Sequence, residues 1–467
     1  MTLIKSISGI RGTIGGKPGV NLTPLDVVKF AAAFGSWLLQ KEKEKHVVIG
    51  RDARLSGEMV SNLISSVLSG LGIKVTDIGL STTPTVEIAV PMERAGGGII
   101  ITASHNPGQW NALKLLNDKG EFVSDKDGAE ILDLAAREDF DFCPVLKLGK
   151  IEKNDKYLLK HIEQVVSYPL VDKEAISRAK FKVAVDGINS SGGIAIPQLL
   201  RALGVEKIEE LHCVPTGHFS HNPEPVPENL SEICATVKKG DFDLGIVVDP
   251  DVDRLVLICE DGTPFSEEYT LVAVADYFLQ NRPGPTVSNL SSSRALQDIT
   301  EKYGCTYHAS AVGEVNVVEK MKEVSAVIGG EGNGGIIVPD FHYGRDALIG
   351  VALILTHLAK SKKSLSRLKL GYPVYHISKT KIELDNSVDL DGILKRVSEK
   401  YKNYPIDFTD GVKIHFDKEW VHLRRSNTEP IVRIISESGS EMTANTLGQK
   451  LFSDIKELMN DHGKDIS

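Results

Sequence analysis

Apolar, β-branched runs that end in Gly, Asp, Ser or Asn recur through the first three quarters of the chain, with amphipathic stretches between them. Such continuous runs are typical of strands buried on both faces, and helical periodicity between them indicates covering helices. The predicted strands are 46–50, 96–102, 181–186, 243–249 and 325–330. The predicted helices are 25–40, 58–71, 194–203 and 347–360. The pattern predicts α/β units with mainly parallel sheets.

The last quarter of the chain alternates apolar and polar positions more strictly. The segments with this alternation are 372–384, 411–416, 420–425 and 431–436, and helical segments flank them. We therefore predict a smaller α+β domain here, after three mixed α/β domains. A chain of 467 residues is long enough for three or four domains. The predicted boundaries give domains at 1–150, 151–255, 256–370 and 371–467.

Composition narrows the class of protein. Lys+Arg 54 against Asp+Glu 63 gives a net charge of -9, which argues against a nucleic-acid partner. Five well-separated cysteines without a C-x-x-C pair favour reduced thiols over a disulfide framework or zinc site. The N-terminal residues show no secretion signal, and the longest apolar run, 347–359, is too short to span a bilayer. We expect a cytoplasmic protein without membrane contacts.

The first loop with candidate chemistry, TASHNPGQWNALK at 102–114, follows a predicted buried strand. Ser104 would be presented at the strand end, where ligands of open α/β sheets bind. A serine can carry a transferring group covalently if a base or cation is near, and His105 and Lys114 are the candidates. The alternative is an ordinary polar turn, because Ser-His-Asn-Pro is also favourable turn chemistry.

The second loop, DPDVDR at 249–254, follows another predicted strand. Asp249, Asp251 and Asp253 at alternate positions would point to one side of an extended segment. Three clustered carboxylates repel one another without a counter-ion, and oxygen ligands suit Mg²⁺. The segment lacks the glycine and glutamate of an EF-hand. Arg254 adds a cation suited to a phosphoryl group. A solvated acidic turn is the alternative.

The third loop, GGEGNGG at 329–335, contains the letters of a dinucleotide-binding fingerprint. That fingerprint opens a helix, whereas here Ile-Ile-Val-Pro follows, and Glu331 would repel a pyrophosphate. A carboxylate and an amide on a glycine-rich loop suit a sugar better. We therefore expect Glu331 and Asn333 to bind hydroxyl groups.

Three further loops carry cations. RRSNTEP at 424–430 combines arginine, hydroxyls and an amide, so Arg424 could bind a phosphate bidentately; a charged hairpin turn is the alternative. SGIRG at 8–12 offers Arg11, and GRDARLSG at 50–57 offers Arg51 and Arg54. For at least one of these last arginines, we favour a salt-bridged position on the surface.

Taken together, these loops resemble those of the α-D-phosphohexomutase superfamily, in the same order and along essentially the whole chain. TASHNP is similar to its phosphoserine loop, DPDVDR to its metal loop, GEGNGG to its sugar-binding loop and RRSNTEP to its phosphate-binding loop. HNPEP at 221–225 is similar to a second-domain segment. The resemblance implies three α/β domains and a C-terminal domain like the TATA-binding-protein fold, around a central cleft.

The resemblance also implies roles for individual residues. Ser104 would carry the phosphoryl group and would bind one Mg²⁺ per chain together with Asp249, Asp251 and Asp253. The residues implied at the reacting centre are His105, Lys114, Arg11 and Arg254. The residues implied to bind the sugar and the distal phosphate are Glu331, Asn333, Arg424, Ser426, Asn427 and Thr428. Arg425 falls at a variable position.

The implied reaction interconverts a hexose 6-phosphate and a hexose 1-phosphate through phosphoserine and a 1,6-bisphosphate, which also serves as activator. The C-terminal domain is expected to close on the ligand and exclude water. Two departures bear on the substrate: Asn333 replaces a serine and no histidine follows, and Asn427 replaces a glycine common in bacterial phosphoglucosamine mutases. The sugar-binding loop is more similar to that of archaeal-type members.

We expect glucosamine phosphate as the preferred substrate, with dual phosphoglucomutase/phosphomannomutase specificity as the alternative. A sugar phosphatase and a non-catalytic sugar-phosphate binder are the remaining alternatives. The chain is expected to act as a monomer or homodimer.

Overall fold

The computed structural model divides the chain into two compact units. It describes residues 2–6, 9–383, 390–425 and 431–462. The first unit is Met1–Arg282 with Asn333–Lys369, and the second is Pro283–Gly332 with Leu370–Ser467. The four domain boundaries proposed from the sequence stay a prediction.

The strands of the described residues are numbered in chain order. They are β1 Ile4–Ser6, β2 Gly9–Thr13, β3 His46–Arg51, β4 Lys74–Leu80, β5 Gly97–Ile101, β6 Trp110–Leu116, β7 Ile151–Lys153, β8 Lys182–Asp186, β9 Lys207–Leu211 and β10 Leu244–Val248. The remaining strands are β11 Leu255–Cys259, β12 Thr286–Asn289, β13 Tyr307–Ser310, β14 Ile328–Glu331, β15 Gly335–Ile337, β16 His376–Glu383, β17 Ile406–Asp407, β18 Val412–His415, β19 Trp420–Arg425 and β20 Ile431–Ser438.

The helices of the described residues are also numbered in chain order. They are α1 Pro24–Gln40, α2 Gly57–Gly70, α3 Thr83–Met92, α4 Asp125–Arg137, α5 Tyr157–Val166, α6 Lys173–Ala179, α7 Gly192–Ala202 and α8 Ser231–Lys239. The later helices are α9 Glu267–Asn281, α10 Ala295–Lys302, α11 Glu314–Glu323, α12 Ala347–Ser361, α13 Leu365–Lys369, α14 Leu390–Lys400 and α15 Glu441–His462. Short 3₁₀ turns occupy Val145–Lys147 and Pro227–Asn229.

The first unit contains a seven-stranded mixed sheet in the order β1-β2-β6-β5-β3-β4-β7. Its central strands are buried on both faces: along β3, Val47 and Ile49 contribute to one core and Val48 to another. Strands β4 and β5 flank β3 on opposite sides and run parallel to it. The chain order therefore reverses at β3, which is where ligand crevices open at the carboxyl ends of parallel strands.

A second sheet of the same unit has the order β11-β10-β8-β9. Strands β8, β9 and β10 are parallel, and β11 returns antiparallel beside β10. The predicted metal loop is the short link between β10 and β11. It thus emerges at the carboxyl end of a fully buried strand.

The second unit contains two further sheets. Strands β12, β13 and β14 are parallel. An antiparallel sheet has the order β16-β20-β19-β18-β17. Helices α14 and α15 cover one face of it, where Val397 and Leu451 pack on Val421 and Leu423. The alternating segments of the last quarter thus form the predicted α+β arrangement.

Local chemistry explains several element boundaries. Helix α1 begins at Pro24 because Thr23 and Asp26 form a capping box. Helix α12 begins after Asp346, whose side chain accepts from the backbone N–H groups of Leu348 and Ile349. Strand β14 begins later than predicted, since Ser325 adopts a φ of 52° at the end of α11.

Two expectations need correction and two others were tested. Arg11 lies on strand β2 and Lys114 on strand β6, although both were assigned to loops. The antiparallel half of the first sheet was also not anticipated, because apolar runs do not encode strand direction. All five cysteines are free, as expected. In the described part of the chain, no helix has the length and apolar character needed to cross a membrane.

Candidate active site

Ser104 lies in the loop that follows β5, and its backbone φ of 48° places it in the left-handed region. The Ser104 backbone N–H donates to Thr102 Oγ1 at 2.9 Å. Its side-chain Oγ donates to Asp249 Oδ2 at 2.7 Å and lies 3.3 Å from His105 Nδ1. The loop therefore brings Ser104, only 7% exposed, directly to the predicted metal loop.

The metal loop is a turn, which corrects the extended conformation assumed from the sequence. Val252 has a φ of 64°, and its N–H donates to the carbonyl of Asp249. The N–H groups of Asp253 and Arg254 both donate to Asp249 Oδ1 at 3.2 Å. The three aspartates still converge, because ligand atoms of Asp249, Asp251 and Asp253 all lie within 4.8 Å of one another.

The carboxylate cluster fits a hard divalent cation. All three aspartates are buried, and Asp251 Oδ1 and Asp253 Oδ1 accept no hydrogen bond. Buried carboxylate oxygens without a donor are costly unless a cation binds them. Oxygen-only ligands favour Mg²⁺ over softer metals. The buried aspartates can therefore hold a metal ion, with Ser104 Oγ beside them.

Two cations partly balance the carboxylates. Lys114 Nζ lies 2.8 Å from Asp251 Oδ2 and 3.7 Å from Asp253 Oδ2. Arg345, two residues before the start of helix α12, donates from Nη2 to Asp253 Oδ2 at 2.7 Å. Arg345 was not predicted from the sequence. The only signal for it was the Arg-Asp pair that precedes an apolar helix.

The local charges shift several pKa values. Burial, together with the neighbouring Asp253 and Asp251, raises the pKa of Asp249 well above its usual value. Burial would also raise the pKa of Asp251, but Lys114 and hydrogen bonds outweigh it and lower the pKa. Burial lowers the pKa of His105 well below 6.5, and Arg254 and Arg11 lower it further. The His105 imidazole is therefore neutral at pH 7.

Arg11 and Arg254 belong to the same cationic surroundings. Burial lowers the pKa of Arg11, and the charge of Arg254 acts in the same direction. Arg254 Nη1 lies 3.9 Å from Glu224 Oε1, so the HNPEP segment also reaches this region. Both guanidinium groups also act on the pKa of His105, and such groups are suited to binding a phosphoryl group.

Asn333 lies in the turn between β14 and β15. Its Oδ1 accepts from the N–H of Gly335 at 3.2 Å. The next residue, Gly334, has a φ of 90°, and a Cβ there would lie 2.5 Å from the carbonyl oxygen of Leu255. Only glycine can lie this close to the Leu255 carbonyl at a positive φ. Gly334 therefore has a structural role, whether or not the loop also binds a ligand.

Glu331 belongs to the second unit and ends strand β14. Its Oε1 accepts from Asn289 Nδ2 at 2.8 Å and from the N–H of Gly313 at 3.2 Å. The N–H of Gly332 donates to Ser292 Oγ at 2.9 Å. These bonds fix the carboxylate at a strand end. The structure therefore supports Glu331 as an oriented polar group.

Arg424 and Arg425, at the end of β19, are the described residues of the predicted phosphate-binding loop; Ser426, Asn427 and Thr428 lie outside the described residues. The Nε of Arg424 is buried and makes no hydrogen bond. Burial lowers the pKa of Arg424, Asp410 opposes this shift, and Arg433 adds to it. Arg433 is directly opposite Arg424 in the pairing of β19 with β20. Two arginines opposite each other repel unless an anion binds between them. Arg433 was not predicted from the sequence, although it stands as a charged residue among the apolar residues that begin β20.

Arg54 is 1% exposed and forms an ion pair with Asp52, and its guanidinium contacts the loop that carries Ser104. Arg51 is half-buried and donates to the backbone carbonyl of Asp52 at 3.3 Å.

Comparisons with known proteins show the family. Residues 3–142, 157–262 and 266–375 match the families described as phosphoglucomutase/phosphomannomutase, alpha/beta/alpha domains I, II and III, respectively. A phosphoglucomutase/phosphomannomutase from Thermococcus kodakarensis is 38% identical over 453 residues, covering 95% of this chain and 98% of that protein. A phosphoglucosamine/phosphogalactosamine mutase from Sulfurisphaera tokodaii is 31% identical over 450 residues, covering 95% and 97%.

A solved structure shows the same fold. The phosphoglucomutase/phosphomannomutase family protein from Burkholderia thailandensis superposes with a TM-score of 0.84 at 25% identity, covering 97% of each chain. The chain therefore belongs to the phosphoglucomutase/phosphomannomutase family of the α-D-phosphohexomutase superfamily. It is a phosphohexomutase, an enzyme of the isomerase class. The predicted fold class, three α/β domains followed by an antiparallel-sheet domain, is confirmed.

Proposed function

We propose that this chain interconverts a hexose 6-phosphate and a hexose 1-phosphate through a phosphoserine at Ser104. The observation that carries the proposal is the hydrogen bond from Ser104 Oγ to Asp249 inside a buried carboxylate cluster. A serine in that position can carry a phosphoryl group next to a metal ion. Phospho-Ser104 would donate to the free hydroxyl of the substrate, and the resulting 1,6-bisphosphate would return its other phosphate to Ser104.

The proposed metal is one Mg²⁺ per chain, bound by Asp249, Asp251, Asp253 and an oxygen on Ser104. When bound, it would neutralise charge on the transferring phosphoryl group. Residues of the chain would supply the other charges that bind the phosphoryl group. Lys114 stays protonated, since its pKa is raised: burial would lower it, but Asp251 and Asp253 outweigh burial. It would therefore bind the phosphoryl oxygens as a cation across the physiological range.

His105 and the two arginines complete the proposed transfer site. A neutral His105, 3.3 Å from Ser104 Oγ, can accept a proton, whereas an imidazolium could not. Arg11 and Arg254 would bind phosphoryl oxygens during transfer. Asn333 would hydrogen-bond a sugar hydroxyl. The hexose 1,6-bisphosphate would serve as activator, because it restores the phosphate on a dephosphorylated Ser104.

In the second unit, we propose that Glu331 binds sugar hydroxyls and that Arg424 binds the phosphate that is not transferring. Arg433 joins this proposal because it faces Arg424 on the neighbouring strand. Ser426, Asn427 and Thr428 are proposed from the sequence resemblance alone.

Glucosamine phosphate is the proposed preferred substrate. The relative from Sulfurisphaera tokodaii is a phosphoglucosamine/phosphogalactosamine mutase, and a buried carboxylate such as Glu331 favours the ammonium group of an amino sugar. Dual specificity for glucose and mannose phosphates is the second candidate. The higher identity to the phosphoglucomutase/phosphomannomutase of Thermococcus kodakarensis favours it.

The test is kcat/KM for glucosamine 6-phosphate, glucose 1-phosphate and mannose 1-phosphate, with Mg²⁺ and catalytic hexose bisphosphate. A preference of about 100-fold for the amino sugar, roughly 2.7 kcal/mol, is the expected result. Comparable rates on the two neutral hexoses with little on the amino sugar would support the second candidate. Release of inorganic phosphate in place of isomer would indicate a phosphatase.

A further inference from the structure

The guanidinium group of Arg54 is buried beneath the loop that carries Ser104. Its Nη2 donates to the backbone carbonyl oxygens of Ser104 and Asn106, at 2.5 and 2.6 Å. Its Nη1 donates to the carbonyl oxygens of Pro107 and Trp110, at 2.7 and 2.9 Å. One side chain thus binds four carbonyl groups of a single loop.

Asp52 binds Arg54 through Nε, the guanidinium nitrogen that does not contact these carbonyls. Its Oδ2 accepts from Arg54 Nε at 3.0 Å and from Thr102 Oγ1 at 2.6 Å. Thr102 Oγ1 in turn accepts from the backbone N–H of Ser104. Both the N–H and the carbonyl of Ser104 are therefore held by one buried network, formed by Asp52, Arg54 and Thr102.

The conformation of the loop needs such a network. A serine at a φ of 48° is in the left-handed region, which is unfavourable for residues that carry a Cβ. Several carbonyl groups that point to one place also repel one another and lose water. A planar guanidinium can donate to several oxygens at fixed angles, which an ammonium group cannot do.

The same network reaches the metal loop. The N–H of Ala53, between Asp52 and Arg54, donates to Ser190 Oγ at 3.3 Å. Ser190 Oγ donates to the carbonyl oxygen of Pro250 at 2.7 Å. Phe219 covers the guanidinium of Arg54, with its ring centre 5.0 Å from Cζ. The segment 52–54 therefore contacts the loop of Ser104 directly and is linked to the metal loop through Ser190.

From these contacts we propose that Arg54, held by Asp52, is a positioning residue for the phosphoryl carrier. It sets the direction of Ser104 Oγ relative to Asp249 without touching the substrate. This inference rests on the proposed function of Ser104. Its removal should misplace Ser104 while leaving the binding of the hexose phosphate nearly unchanged.

The test compares Arg54→Ala with Arg54→Lys in the full-length enzyme. A misplaced carrier predicts a kcat about 100-fold lower in Arg54→Ala, with KM changed less than about threefold. Millimolar guanidinium should raise the kcat of Arg54→Ala at least about tenfold, because the free ion can occupy the vacated site and donate to the same carbonyls. Sodium or ammonium at the same concentration should not. Arg54→Lys should be impaired and should respond to guanidinium much less.

Matched controls separate this effect from general perturbation. Arg201→Ala removes an exposed ion pair with Glu210 and should neither lose activity nor respond to guanidinium. Ser104→Ala should stay inactive with guanidinium present. If Arg54→Ala does not fold, Asp52→Asn provides the second variant. It removes the charge that orients Arg54 and should lower kcat at unchanged KM.

An Arg54→Ala enzyme with wild-type kcat would overturn the proposal. So would a loss that guanidinium does not reverse in a folded variant, since that would indicate a structural role alone. Failure of the underlying function is distinguishable. If the wild-type enzyme turns over without phosphate on Ser104, measured by intact-protein mass, the phosphoserine proposal fails whatever Arg54 does.

Discussion

Ser104 Oγ and Asp249 Oδ2 lie 2.7 Å apart and share a hydrogen bond, although 145 residues separate them in the sequence. The donor in this bond is the hydroxyl that would be phosphorylated. A phosphoryl group on Oγ would replace the donor with negative charge beside a buried carboxylate. That contact would be repulsive unless a cation lay between the two groups. The geometry thus links phosphorylation of Ser104 to occupancy of the metal site.

This link predicts how Asp249→Asn changes metal binding. The change removes a carboxylate ligand, so the affinity for Mg²⁺ measured by titration calorimetry should fall at least about tenfold. It also removes a buried like charge, so the metal-free variant should be as thermally stable as the wild type or more stable. The wild type should gain thermal stability when Mg²⁺ is added, and the variant should gain little.

The control is Asp261→Asn, which alters an exposed aspartate in the turn after β11. It should leave both the Mg²⁺ affinity and the Mg²⁺-induced stabilisation unchanged. An Asp249→Asn enzyme that keeps wild-type Mg²⁺ affinity would contradict the assignment of Asp249 as a ligand.

Strand β19 offers a matched pair of arginines for the phosphate-binding proposal. Arg424 is half-buried and lies opposite Arg433, whereas the next residue, Arg425, is exposed. Arg424→Gln should raise KM for the hexose phosphate at least about tenfold, because a charge-assisted contact to the phosphate is lost. Arg425→Gln should change KM less than about twofold. Steady-state kinetics measure both, and equal effects of the two substitutions would argue against the assignment.

His422 predicts a dependence of stability on pH in the second unit. Burial, with a contribution from the Lys413 ammonium, lowers the pKa of His422 from 6.5 to about 4. The unfolded chain therefore binds the proton more tightly. The stability that the neutral imidazole contributes is fully present above pH 6.5 and is lost as the pH falls towards 4. Between pH 7 and pH 5, the loss should be about 2 kcal/mol.

The measurement is urea unfolding of the wild type and of His422→Gln at both pH values. Trp420 fluorescence reports on the second unit if Trp37 and Trp110 are replaced by phenylalanine. The pH-dependent loss of stability should be smaller in His422→Gln by about the same 2 kcal/mol. The exposed His218→Gln should behave like the wild type. An identical pH dependence in His422→Gln would show that His422 is not buried as a neutral group.

Much of the fold follows from the sequence because buried strands and covering helices leave clear patterns. The β3 and β5 runs were recognisable, and each ends at a loop with chemistry. Strand direction was not recognisable: β6 runs antiparallel to β5, because the loop between them is too short for a crossover. Because β6 itself was not predicted as a strand, Lys114 was assigned to a loop.

Part of the candidate site was also predictable from the sequence. Ser104 and the aspartates stand out locally, in short motifs after strands. Arg345 and Arg433 do not, since each is defined by a partner far away in sequence or on a neighbouring strand. Arg54 was noticed, but no particular role was assigned to it. A sequence does not reveal that four backbone carbonyls converge on one guanidinium.

The most direct test of the central claim is a single-turnover experiment with enzyme carrying ³²P on Ser104. After mixing with unlabelled hexose 6-phosphate and Mg²⁺, the label should pass to hexose bisphosphate and hexose monophosphate, while Ser104 becomes phosphorylated again from the substrate. Ser104→Ala should accept no label and should isomerise at least about 1,000-fold more slowly. Label released only as inorganic phosphate, or wild-type isomerisation by Ser104→Ala, would contradict the account.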